Sequence, residues 1–133
     1  MPDLTMTAAA MTAPRAFAEA GITPGDIDMA MIYDSFTITV LLLLEDLGFC
    51  SKGDGGAFVQ DGRIALGGQL PINTDGGGLS SNHPGMRGIF LIIEATRQLR
   101  GQCGPRQVTG AKLAVAHGSG GLLSSQATTI LGR

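Results

Sequence analysis

The chain has 133 residues, 44% of them hydrophobic and 15% charged, with a formal net charge of −2. That composition describes one well-buried domain and excludes a disordered or fibrous chain. Scattered Lys and Arg leave no footprint for nucleic acid and no polybasic patch for a membrane surface.

Thr7 to Ala20 is alanine-rich and stops at Gly21, as a helix would. Pro14 sits awkwardly inside it, so the helix is either kinked or begins later than Thr7. Ile22-Thr23-Pro24-Gly25-Asp26 reads as a turn, and Ile27 to Ile32 as a short buried strand. Asp34 or Ser35 can cap the next helix. There Phe36, Val40, Leu43, Leu44 and Leu47 follow helical spacing, with Leu41 and Leu42 widening the apolar face of a core helix. The run Val40 to Leu44 is far too short to span a bilayer. The N-terminus lacks the layout of a signal peptide, so a cytoplasmic location is expected by default.

Ser51 to Gly78 is glycine-rich and weakly periodic, and a loop of that length in a small domain implies function. Gly53 to Gln60 within it suits a short helical turn. After Pro84, the residues Ile89, Ile92, Ile93, Thr96 and Leu99 mark one face of an amphipathic helix stopped by Gly101 and Pro105. Leu113 to Ala116 and Ala127 to Leu131 read as the last two strands, separated by a glycine-rich turn. The alternation predicts an α/β domain. Cys50 and Cys103 have neither CxxC nor zinc-finger spacing and read as reduced structural thiols.

Both histidines lie in glycine-rich segments, Ser81-Asn82-His83-Pro84-Gly85 and Ala116-His117-Gly118-Ser119-Gly120-Gly121. Glycine offers no side-chain surface to pack an imidazole, but it lets backbone approach a ligand. Two such imidazoles point to acid–base chemistry. Tyr33, the one tyrosine in the chain, follows a strand and precedes a helix, where α/β sheets bind ligands. A helix starting just after His83 would aim its positive end at the same crevice and favour an enolate or oxyanion there. No Walker A, GxSxG or HExxH motif is present, and Gly53-Asp54-Gly55-Gly56 lacks dinucleotide-loop spacing. Two histidines without a third ligand give no reason to expect a metal.

Three segments, in this order, resemble the C-terminal half of the thiolase superfamily: Tyr33-Asp34-Ser35-Phe36, then Asn73-Thr74-Asp75-Gly76-Gly77 with Asn82-His83-Pro84, then His117-Gly118-Ser119. The resemblance runs from about Ala16 to the last strand, and Lys52 to Phe58 looks like the lipid-transfer, sterol-carrier branch. It implies a thiolase-like α/β half-domain, a mixed sheet with helices on both faces. The departures are specific. Tyr33-Asp34-Ser35-Phe36 stands where the family has Asn-Glu-Ala-Phe or His-Asp-Cys-Phe, and Asn82 replaces the glycine before His-Pro. His117 stands where thiolases carry the Cys of Cys-x-Gly, and some members have Tyr at the position of His83. Neither Cys50 nor Cys103 matches the acyl-accepting Cys of the N-terminal half, which is expected to be missing from this chain.

What the resemblance implies is a single domain whose catalytic residues are Tyr33, His83 and His117, with Asn73, Gly76, Gly77, Gly118 and Gly120 contacting substrate. The substrate would be an acyl-CoA thioester, with coenzyme A part of it and no separate cofactor. The implied partners are the N-terminal thiolase half, a small OB-fold acyl-CoA-binding protein and a second copy of the chain in a homo-oligomer. Three functions stay open: retro-aldol cleavage of a β-hydroxyacyl-CoA, thiolase-type acyl transfer, and a noncatalytic lipid or acyl-CoA scaffold.

Overall fold

Met29-Ala30-Met31-Ile32 is apolar on both sides of its alternation, which suits a strand covered on both faces. It forms β1 (Met29–Ile32), with all four residues buried, in a computed structural model that describes residues 3–81 and 85–133. β1 pairs in parallel with β2 (Leu113–Gly120), which pairs antiparallel with β3 (Ser125–Gly132), so the sheet is mixed and ordered β1-β2-β3. On the free edge of β1, Ile72 adds a one-residue parallel bridge to Ala30.

Helices cover both faces. On one side lie α1 (Ala9–Ala20) and α2 (Thr37–Asp46), whose Ala9, Ala13, Phe17, Val40, Leu43 and Leu44 pack on Ala30, Ile32 and Val115. On the other lies α4 (Arg87–Leu99), whose Leu91, Ala95 and Leu99 pack on Met29, Met31, Ala114 and Ala116. The short α3 (Gly55–Phe58) falls within the stretch expected to turn. Among the described residues no helix is long and apolar enough to cross a membrane.

Local signals account for several ends. α1 begins at Ala9, two residues after Thr7, and keeps Pro14 inside. It ends in a Schellman motif, with Gly21 at φ +67° and Ile22 N–H reaching Phe17 O at 3.1 Å. α4 ends the same way at Gly101, with Gln102 N–H on Arg97 O at 2.9 Å.

Three expectations are corrected. The strand ending at Ala116 continues through His117 to Gly120, so the histidine belongs to the sheet and not to the turn. The helix cap expected at Asp34 or Ser35 is absent: α2 starts after Phe36 with no side-chain cap. The third concerns α4, where Ile89, Ile92 and Ile93 are 51%, 39% and 44% exposed. The buried stripe instead carries Arg87, Leu91, Glu94, Ala95 and Gln98. These side chains can be buried because Arg87 meets Asp75, Glu94 meets Thr74 and Arg106, and Gln98 meets Thr74 inside.

Candidate active site

The carboxyl ends of the parallel strands β1 and β2 open into a cavity of about 620 Å³. Tyr33 enters it from the end of β1, Ser35 and Thr39 from the start of α2, and Ser119 and Gly120 from the end of β2. Gly85, just ahead of α4, completes this wall. Both α2 and α4 thus begin at the cleft, where their amino ends favour negative charge. The Ser35 and Thr39 hydroxyls lie 3.1 Å apart. Ser119 Oγ is buried and has no hydrogen-bond partner among the described residues. Tyr33 is the one titratable side chain among the described residues that line this cavity.

Tyr33 is held through its neighbours. Its own N–H donates to His117 O at 2.9 Å, continuing the parallel ladder. Ile32 N–H donates to the side-chain Oδ1 of Asn73 at 2.8 Å. On the other side, the Asp34 carboxylate accepts the N–H groups of Gly78 and Leu79 at 2.7 and 3.0 Å. Asp34 is therefore the anchor of a loop and not a helix cap. Asn73 adopts φ +47°, a left-handed conformation that Asn tolerates, and Gly76 at φ +95° closes the turn onto Asn73 O at 2.8 Å.

His117 is fully buried. In the register it sits beside Ile32, on the face covered by α1 and α2, whereas Tyr33 packs with the α4 face. Its Nε2 lies 3.1 Å from Gln126 Oε1, and its Nδ1 lies 2.9 Å from Thr128 Oγ1. A carboxamide oxygen only accepts, so Nε2 carries the proton and Nδ1 accepts from Thr128. Thr7 Oγ1 adds a second donor to Gln126 Oε1 at 3.2 Å, and Thr12 meets Thr128 at 2.8 Å. Burial pushes the imidazole down to about pKa 4, against a smaller upward pull from Gln126. The expectation that His117 lies in a loop unsuited to packing is overturned: Gln126 and Thr128 of β3 supply the polar partners that its glycine neighbours do not, braced in turn by Thr7 and Thr12. Its ring belongs to a satisfied network inside the sheet and does not line the cleft.

The other expected site residues divide. Gly120 shares the cleft with Tyr33. Asn73 and Gly76 line a second, largely apolar cavity of about 570 Å³, between α2 and the Ser51–Gly78 segment. Gly77 faces the Asp34 carboxylate, and Gly118 faces the backbone of Gly88. His83 lies outside the described residues. Ser119 was not among the expected site residues; its place two positions after His117 in the same strand is the signal the sequence offered. Cys50 and Cys103 are free thiols away from the cleft, each pushed upward in pKa mainly by burial. Among the described residues no three His, Cys, Asp or Glu side chains are grouped to hold a metal.

A layered α/β/α half-domain with a cleft at the strand carboxyl ends is the class this geometry defines. The family model for thiolase C-terminal domain-like proteins matches residues 1–133, and the chain belongs to that family. It is 42% identical over 133 residues to an acetyl-CoA acetyltransferase of Methanothermobacter thermautotrophicus, covering 98% of this chain and 35% of that protein. It is 50% identical over 85 residues to a 17-hydroxy-3-oxo-4-pregnene-20-carboxyl-CoA lyase of Mycobacterium tuberculosis, covering 64% of this chain and 22% of that one. Among solved structures it resembles an Ltp2-ChsH2(DUF35) aldolase with a TM-score of 0.83 at 34% identity, covering 99% of this chain and 34% of that chain. The chain thus spans 35% or less of the length of each of these relatives.

Proposed function

We propose that this domain is the C-terminal half of a lipid-transfer-protein-like thiolase whose full-length form cleaves the Cα–Cβ bond of a β-hydroxyacyl-CoA. The observation that supports this reading is the cleft itself: a tyrosine at the end of β1, two helix amino ends, and no cysteine among its described residues. As phenolate, Tyr33 takes the β-hydroxyl proton while the Cα–Cβ bond breaks. The β-carbon leaves as a ketone or aldehyde. The electron pair passes to the thioester oxygen as an enolate, which is reprotonated at Cα to give the shorter acyl-CoA. A thioester makes that enolate accessible, and positive helix ends lower its cost. His83 is assigned to polarise the thioester carbonyl. His117 is not assigned the base, because both its nitrogens are engaged within the sheet. Coenzyme A enters as part of the substrate, and the reaction needs no separate redox or metal cofactor.

The partners belong to the same proposal. An N-terminal thiolase half would pack on the outer face of α4, an OB-fold protein would deliver the acyl-CoA, and the assembled enzyme would be a homo-oligomer. A second reading, acyl transfer from acetyl-CoA, is supported by the acetyltransferase relative aligned over nearly the whole chain. It requires a thiolate from outside this chain.

The test is turnover of a β-hydroxyacyl-CoA panel by the full-length protein, following ketone or aldehyde together with propionyl- or acetyl-CoA. Tyr33→Phe should lower kcat by roughly 10²- to 10⁴-fold, the range of general acid–base contributions. Cleavage unaffected by Tyr33→Phe would sink the mechanism, and acyl exchange without cleavage would establish the second reading.

A further inference from the structure

We propose that Glu94 and Arg87 of α4 are positioning residues that set the orientation of Tyr33 through the loop Asn73–Leu79. The inference rests on the reading of Tyr33 given above. Glu94 and Arg87 are seven residues apart, on one stripe of the helix, and both are buried. Glu94 Oε1 accepts the Thr74 hydroxyl at 2.9 Å, and Arg87 Nη2 reaches the Asp75 carboxylate at 2.9 and 3.2 Å. Two consecutive loop residues are therefore each gripped by a different turn of the same helix. Thr74 directly follows Asn73, which holds Ile32; Asp75 leads into Gly78 and Leu79, which hold Asp34. Both chain neighbours of Tyr33 are thus fixed to one loop, and that loop is fixed to α4.

The grip on Thr74 is itself braced. Arg106 pairs with Glu94 through Nε at 2.9 Å and Nη2 at 3.0 Å. Gln98 Nε2 donates to Thr74 Oγ1 at 2.9 Å and to Arg106 O at 2.8 Å. The Thr74 hydroxyl both accepts from Gln98 and donates to Glu94, so no methyl can replace it. None of these side chains lines the cleft. Their effect on chemistry is confined to where Tyr33 points, and small displacements of a reacting group are costly in rate.

The test uses the full-length protein carrying 3-fluorotyrosine at position 33 by site-specific incorporation. Thr74→Val, close to isosteric, should move the fluorine resonance of residue 33 and lower kcat by roughly 10- to 100-fold with KM changed less than about twofold. Thr74→Ser should restore both. Arg87→Lys, which keeps the charge but not the two-oxygen contact, should shift the same resonance. A resonance unmoved in both Thr74→Val and Arg87→Lys would overturn the proposal, whatever the activity. A resonance that moves while Tyr33→Phe retains full turnover would uphold the positioning and remove the role assigned to Tyr33.

Discussion

The Asp34 carboxylate occupies the space that a Cβ on Gly77 would need, so any side chain at Gly77 must displace the carboxylate of a residue 43 positions away. Gly77 also sits at φ +70°, where a Cβ is strained even without a neighbour.

Gly77→Ala should therefore destabilise the protein by about 2–4 kcal/mol, combining backbone strain with displacement of a carboxylate that serves two amides. Gly56→Ala, in the short helix α3 with nothing within 4 Å, should be neutral or stabilising by up to about 1 kcal/mol. Urea denaturation of the pair checks this. Equal losses at both positions would contradict the steric account.

His117 gives a prediction in pH. Its folded pKa of about 4 lies below the ordinary 6.5. Below pH 6.5 the unfolded chain binds the proton first, so stability falls as pH drops from about 6.5 to about 4 and is flat above that window. The integrated loss is about 3 kcal/mol, from 1.36 kcal/mol per pKa unit. In a His83→Gln background, leaving one imidazole in this chain, NMR should show the Nε2–H tautomer and no protonation until the pH approaches 4. A resonance titrating near 6.5 would contradict the buried network.

The outer face of α4 carries Ile89, Phe90, Ile92 and Ile93 side by side and exposed. A contiguous apolar surface of this kind drives association. The isolated chain should self-associate in sedimentation velocity, and Ile89→Lys with Ile93→Glu should return it to monomer. Because both residues are exposed, each change should cost the fold within about 0.5 kcal/mol. An unchanged sedimentation coefficient would show that this face is not the sticky one.

Ser119 is the reverse case, a buried hydroxyl without a partner among the described residues. Ser119→Ala should leave thermal stability unchanged or raised by up to about 1 kcal/mol, since an unsatisfied polar atom is removed. A clear loss of stability would reveal a hydrogen bond to the Oγ.

The element order was legible because local chemistry and tertiary role agree in most segments. Gly21 and Gly101 stop helices, the Met29–Ile32 run is a strand, and the α2 leucines face the core. Reading failed where burial depends on distant partners. Nothing near His117 announces that Gln126 and Thr128 will satisfy its ring from the next strand. The α4 stripe of Arg87, Glu94 and Gln98 looks like a solvent face until Asp75, Thr74 and Arg106 are brought against it. Polar residues at helical spacing were the available signal, and hydrophobic counting pointed the other way. Asp34 read as a cap because its true acceptor geometry is set by amides 44 and 45 residues later.

α4 is two-sided: its inner stripe grips the loop behind Tyr33, and its outer stripe is apolar and exposed. Any shift of the helix is transmitted to the loop without an intermediary. Under the proposed function, covering that outer stripe and ordering the tyrosine would be one linked equilibrium, each strengthening the other by the same factor. On that reading, a ligand that locks Tyr33 in place should tighten whatever contact covers α4, and loosening that contact should blur the cleft before it unfolds the domain.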